Sequence, residues 1–97
     1  MPGIQVNITY VGEEFEITII DVQGYIDTST APEINRVLNE QLSRGKYYII
    51  INLGAVDYIS STGWGVFIGD LKEIRNNGGD LVLVDKQKRF EFAMKNR

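Results

Sequence analysis

Three consecutive hydroxyls, Ser60-Ser61-Thr62, stand immediately before Gly63-Trp64-Gly65. A hydroxyl in such a place can cap a helix, accept a phosphoryl group or, with a base beside it, act as a nucleophile. The chain contains no His and no Cys, which removes imidazole bases, thiolate nucleophiles, disulfides and the usual zinc ligand sets together. Carboxylates remain: Asp21, Asp27, Asp57 and Asp85 fall at or near the ends of apolar runs. A cluster of them could bind a divalent cation or form an acid/base pair, although solvated strand-end aspartates are the commoner arrangement.

Glycine in a helix costs about 1 kcal/mol relative to alanine, so Gly63, Gly65 and Gly69 in one helix cost about 3 kcal/mol unless something requires them. Either a ligand or partner comes close to a helix N-terminus, whose free N–H groups and dipole favour an anion, or one of the three hydroxyls is a plain N-cap and the glycines let the helix lie against a sheet. Trp64, between two of these glycines, can anchor a partner or fill a core. Gly63-x-Gly65-x-x-x-Gly69 is one residue too long for the dinucleotide fingerprint, and no Gly-Lys-Ser/Thr follows the central apolar run, so nucleotide binding of either kind is not expected.

Alternating β-strand and helix patterns must position these residues. Ile4, Val6, Ile8 and Tyr10 alternate with Gln5, Asn7 and Thr9, the period of a strand with one buried face. A turn at Gly12-Glu13-Glu14 leads to a second strand from Phe15 to about Gln23, antiparallel to the first and buried on both sides at its far end. Thr30 and Glu33 have capping-box spacing, Pro32 sits in the first turn, and Ala31, Ile34, Val37, Leu38 and Leu42 give a helical stripe that ends at Arg44-Gly45. Tyr48 to Leu53 reads as a central strand covered on both faces. Trp64, Phe67, Ile68, Leu71 and Ile74 mark a second helix stopped by Asn76-Asn77-Gly78-Gly79; Leu81 to Val84 is a fourth strand, and residues 87–97 form a short terminal helix. The order β-β-α-β-α-β-α implies an α/β fold with right-handed crossovers and a sheet that is parallel apart from its opening hairpin.

At 97 residues, 43% hydrophobic and 24% charged, the chain suits one domain over residues 1–97. The net charge of -3 offers no general attraction for nucleic acid or an anionic membrane. Up to Asp85 there are 5 basic and 12 acidic residues, whereas Lys86, Lys88, Arg89, Lys95 and Arg97 face Glu91 alone in the tail. That tail reads as a solvated amphipathic helix rather than a nucleic-acid arm. With no apolar run near the roughly 20 residues of a bilayer span and no signal-peptide layout at the start, a soluble cytoplasmic protein without membrane insertion is expected.

The order of elements, together with Gly24-Tyr25-Ile26-Asp27, Ile49-Ile50-Ile51-Asn52-Leu53 and Tyr58-Ile59-Ser60-Ser61-Thr62-Gly63-Trp64-Gly65, resembles the STAS domains of bacterial anti-sigma factor antagonists. The likeness covers roughly residues 4–85. It implies a non-enzymatic domain, without cofactor, that binds an anti-sigma factor doubling as a serine/threonine kinase and so frees a sigma factor. Phosphorylation of the hydroxyl before the motif's first glycine ends the binding, and a PP2C-type phosphatase restores it. Carried over by position, Thr62 is the acceptor, with Ser61 the neighbouring candidate, and Asp27 matches an acidic residue near the acceptor. Tyr58, Ser60, Gly63 and Trp64 complete the partner-binding set. Ser60 stands where phosphorylatable members usually carry Asp, and residues 86–97 are shorter and more basic than the family's last helix. The Ser60 difference favours a second reading, an unphosphorylated scaffold or small-ligand module in a lipid-transport or stress-sensing complex.

Overall fold

The computed structural model describes residues 3–14 and 16–85. Strand β1 (Ile4–Val11) alternates half-buried Ile4, Val6 and Ile8 with exposed Gln5, Asn7 and Thr9, as its period predicts. It pairs antiparallel with β2 (Ile17–Ile26), in register from Ile4 opposite Gly24 to Val11 opposite Ile17. Helix α1 (Ala31–Ser43) follows, then β3 (Tyr48–Ile59), helix α2 (Ser61–Asn76) and β4 (Asp80–Val84). The sheet order is β1-β2-β3-β4, with β3 parallel to both β2 and β4. The expected opening hairpin and parallel remainder are thus both present. The expected terminal helix over 87–97 lies outside the described residues.

Both crossovers step to the next strand in the same direction, and right-handed connections therefore put α1 and α2 on one face. Ile34, Val37, Leu38 and Leu42 of α1 and Phe67, Leu71 and Ile74 of α2 share one core with Ile20, Val22, Ile49, Ile51, Leu53 and Leu81 of the sheet. The stripes read from the sequence lie on the buried faces of both helices except at Ile68, which is half-buried and outside the core, while polar Gln41 and Asp70 are buried. Arg44 and Gly45 end α1 as expected, Gly45 adopting φ 76° while its N–H donates to the Leu42 carbonyl at 3.0 Å.

Two expectations are corrected. Among the described residues helices cover β3 on one face only: Ile49, Ile51 and Leu53 are buried, Ile50 is half-buried, and Val82 beside it is 47% exposed. A continuous apolar run therefore does not require two covered faces here. β3 also continues to Ile59 instead of stopping at Leu53, because register shifts between Asp21 and Gln23 and between Gly24 and Tyr25 keep it paired with β2 beyond Gly54. The Asn52 side chain bridges the irregularity: its amide donates to Asp21 Oδ1 at 2.9 Å and its Oδ1 accepts from the Gly54 N–H at 3.0 Å. Asp21 accordingly lies inside β2, not at a strand end. Gly24 has φ 110°, and a Cβ there would run into the Gly3 carbonyl oxygen, so only glycine fits this part of the hairpin.

Candidate functional site

The parallel strands β2 and β3 end side by side, with Tyr25 opposite Tyr58 and Ile26 opposite Ile59. Ile26 and Ile59 point into the core, so the two tyrosines point to the other face, where Tyr25 is 44% and Tyr58 50% exposed. Two loops leave this end of the sheet and are tied together at once: the Ser60 N–H donates to the Ile26 carbonyl at 2.8 Å.

Ser60 is the N-cap of α2. Its backbone is extended at φ -80° and ψ 170°, its Oγ accepts from the Gly63 N–H at 3.2 Å, and its carbonyl accepts from the Trp64 N–H at 3.0 Å. Of the three hydroxyls, the cap therefore uses Ser60 alone. Gly63 is buried, and a Cβ there would sit 2.6 Å from Cγ2 of Ile26 and 3.1 Å from Cγ2 of Ile59. Gly65 and Gly69 are exposed, and a Cβ at either would meet nothing within 4 Å. Close packing on the sheet thus accounts for the first glycine and not for the other two.

Ser61 and Thr62 are both exposed on the first turn, where the helix's opening N–H groups have no intrahelical acceptor and the dipole is positive. Between the two loops, Thr28 Oγ1 lies 3.5 Å from Thr62 Oγ1. Neither loop 27–30 nor the first turn 61–65 contains Lys or Arg.

Asp27 comes to this region but its carboxylate is directed into its own loop. Oδ1 accepts from the Ser29 N–H at 2.9 Å, the Ser29 hydroxyl at 2.7 Å, the Thr30 N–H at 3.1 Å and the Thr30 hydroxyl at 3.3 Å. The Ser29 hydroxyl above all, with these backbone donors, holds the Asp27 carboxyl below the usual carboxylate range. The residue that meets Thr62 is Thr28, one position on. The expected capping box at Thr30 and Glu33 does not form: the Thr30 hydroxyl donates to the Tyr25 carbonyl at 2.6 Å, and Glu33 pairs with Arg36 at 2.7 Å. The Thr30 oxygen is turned back toward the strand, where it accepts from the Asp27 N–H at 2.9 Å, and the Glu33 N–H donates to the Thr30 carbonyl at 3.0 Å instead.

Trp64 is half-buried against the core, its ring edge-on to Phe67 with centroids 6.2 Å apart and planes at 77°. It packs and remains partly accessible at once. Asp57, on the bulged part of β3, and Asp85, beyond β4, do not join Asp27 in a metal cluster; among the described residues no three potential ligands stand close enough to hold an ion. Sequence reasoning missed Tyr25 and Thr28. Tyr25 was legible in principle, because burial of Ile26 on a strand turns its neighbour outward.

The sequence profile of the STAS domain family matches residues 10–96. An anti-sigma-B factor antagonist of Staphylococcus epidermidis is 34% identical over 71 residues, 73% of this chain and 66% of that protein, slightly under two thirds of its length. Among solved structures, the anti-sigma factor antagonist SpoIIAA in its unphosphorylated form superposes with a TM-score of 0.68 at 20% identity, covering 91% of this chain and 83% of that one. The phosphorylated form of SpoIIAA from Bacillus gives 0.66 at 21% identity, covering 90% and 83%. At these identities the structural likeness establishes the fold, and the profile match over most of the sequence establishes the lineage: this chain belongs to the STAS domain family.

Proposed function

We propose that this domain is an anti-sigma factor antagonist whose binding is ended by phosphorylation at Thr62, with Ser61 the neighbouring acceptor. The observation that carries the reading is the division of labour in the hydroxyl run. Ser60 caps α2, while Thr62 presents a hydroxyl on the exposed first turn with Thr28 Oγ1 as its neighbour at 3.5 Å. The relatives' role as antagonists of an anti-sigma factor and the existence of SpoIIAA in a phosphorylated form support it. The partner is an anti-sigma factor that is also a serine/threonine kinase: the Thr62 oxygen attacks the γ-phosphorus of ATP, the hydroxyl proton leaves to a kinase base, and ADP departs. A PP2C-type phosphatase hydrolyses the ester and returns the hydroxyl. The domain itself binds and does not catalyse.

A phosphoryl group brings about −1.5 to −2 charges at pH 7. At a helix N-terminus that charge is tolerated by α2 itself. With no Lys or Arg in either loop to pair with it, its cost falls on the surface that must dock there. Thr62→Asp should fold normally and fail to bind the anti-sigma partner, whereas Thr62→Ala should bind and resist inactivation by kinase and ATP. Locating the phosphate in wild type, Ser61→Ala and Thr62→Ala separates the two hydroxyls. Ser60, where phosphorylatable members carry Asp, is the observation that favours the second reading, a scaffold or small-ligand module of a lipid-transport or stress-sensing complex. That reading stands if none of the three proteins takes up phosphate and Thr62→Asp binds as well as wild type. Among the described residues no helix is long and apolar enough to cross a membrane.

A further inference from the structure

The two edges of the sheet are built differently. β4 is 5 residues long, begins at Asp80, which pairs with Arg75 at 3.3 Å, and is followed by Asp85. Short length and charge are the usual devices that keep an edge strand from pairing with another chain. β1, at the opposite edge, is 8 residues long, pairs with β2 in unbroken register, and contains no Pro and no charged residue. None of those protective devices is present.

The direction of its backbone groups follows from one hydrogen bond. The Tyr25 N–H donates to the Gly3 carbonyl at 3.2 Å, so Gly3 faces Tyr25 as a hydrogen-bonded pair. In an antiparallel ladder such pairs alternate, which assigns Gln5, Asn7, Thr9 and Val11 to β2 as well. Ile4, Val6, Ile8 and Tyr10 then direct their N–H and C=O groups outward. Their side chains lie on the helix-bearing face, where Ile4, Val6 and Ile8 are only half-buried and Tyr10 is 39% exposed.

We propose that β1 is a self-pairing edge, through which two copies of this chain join antiparallel about a two-fold axis to make one continuous sheet. The strand is its own complement. With Asn7 opposite Asn7 of the second copy, Ile4 meets Tyr10 and Val6 meets Ile8, and the four outward-directed residues of each copy all fall in hydrogen-bonded pairs. A slip of two residues in either direction leaves outward groups unpaired, and a slip of one turns the apolar row against the polar one. In the central register apolar side chains cover apolar side chains on one face, Gln5 meets Thr9 on the other, and Glu13 and Glu14 fall beyond the paired segment. An extended segment of a different protein has no such built-in register. The first turn of α2 packs on the ends of β2 and β3, at Ile26 and Ile59, and contributes no group to the joined edge. The pairing is independent of the phosphoacceptor reading.

Sedimentation velocity of the whole chain over a concentration series tests it. Wild type should shift from monomer toward dimer as concentration rises. Asn7 is exposed on the solvent face opposite Asp21 of the same copy, so Asn7→Lys and Asn7→Asp should both keep the far-ultraviolet spectrum of wild type, Asn7→Lys melting no lower and Asn7→Asp, with a like charge across the ladder, melting slightly lower while staying folded. Each variant alone places like charges directly opposite one another and should weaken dimerisation at least tenfold. An equimolar mixture of the two should regain the dimer, since Lys then opposes Asp. A wild type that is monomeric at every concentration, a dimer unaffected by either charge, or a mixture no better than its components would each overturn the proposal.

Discussion

Gly63 lies against Ile26 so closely that a Cβ on the glycine would stand 2.6 Å from the isoleucine's Cγ2. Ile26 is fully buried and β-branched, so its methyl cannot swing aside as the end of a longer chain could. The contact sets how near the first turn of α2 comes to the end of β2. With the hydrogen bond from Ser60 to Ile26, it holds the hydroxyls at 61 and 62 in fixed relation to the loop that carries Asp27 and Thr28.

The three glycines of α2 should therefore respond in opposite directions to the same substitution. Gly63→Ala should destabilise by about 1 to 3 kcal/mol through overpacking, despite alanine's better helix propensity. Gly65→Ala and Gly69→Ala, with open space around the new methyl group, should each stabilise by about 1 kcal/mol. Urea unfolding of the three variants measures this. If the stabilised variants also bind an anti-sigma partner more weakly, those glycines serve close approach of the partner.

Ser60→Ala should cost about 1 kcal/mol, because the Gly63 N–H loses its acceptor. Ser60→Asp supplies another good cap with a charge suited to the helix dipole, and should melt no lower than wild type. A fall in melting temperature for Ser60→Asp equal to that of Ser60→Ala would remove capping as the role of this side chain.

Most of the architecture was legible because the patterns are those of one buried face per element. Ile4-Val6-Ile8 gave β1, and the stripes through Ile34 and Leu38 and through Phe67, Leu71 and Ile74 gave the two helices. The errors occurred where one local interaction displaced another. Thr30 and Glu33 have capping-box spacing, but the Thr30 hydroxyl is turned back to the Asp27 N–H and the Tyr25 carbonyl. Gly54 reads as the end of a strand, but the Asn52 side chain carries β3 past it. At the site, the run Ser60-Ser61-Thr62 and the glycines stood out, while the choice of cap depended on which hydroxyl the turn brings to Gly63, and the pairing of Thr28 with Thr62 is a long-range contact no local pattern encodes.

Thr18 offers a test of the core. Its side chain is fully buried on the helix-facing side of β2, and its Oγ1 has no hydrogen-bond partner among the described residues. A buried hydroxyl without a partner costs about 1 to 3 kcal/mol of desolvation. Thr18→Val keeps the β-branched shape and removes that cost, so chemical denaturation should show a gain on the order of 1 kcal/mol. A loss of stability would mean the hydroxyl is satisfied in solution.

Asp70 makes stability depend on pH. It falls within the buried stripe of α2, three residues after Phe67 and four before Ile74, is 8% exposed, and its Oδ2 has no partner among the described residues. Burial, reinforced by the neighbouring charge of Glu73, pushes its carboxyl up to about 6. Unfolded, the same group titrates near 3.9. Between those values the folded chain binds the extra proton, so this residue's contribution is fully present below about pH 4 and is lost as pH rises through about 6. At neutral pH the fold carries a charge it poorly solvates, and Asp70→Asn should raise stability there on the order of 1 kcal/mol, a figure reduced from the full linkage value for the water that still reaches the carboxyl. Urea titrations of wild type and Asp70→Asn from pH 4 to 8 measure the difference. The gap should be widest at pH 7 to 8 and close toward pH 4. A gap that stays constant over this range, or one that widens as pH falls, would show that the Asp70 carboxyl titrates normally in the folded protein.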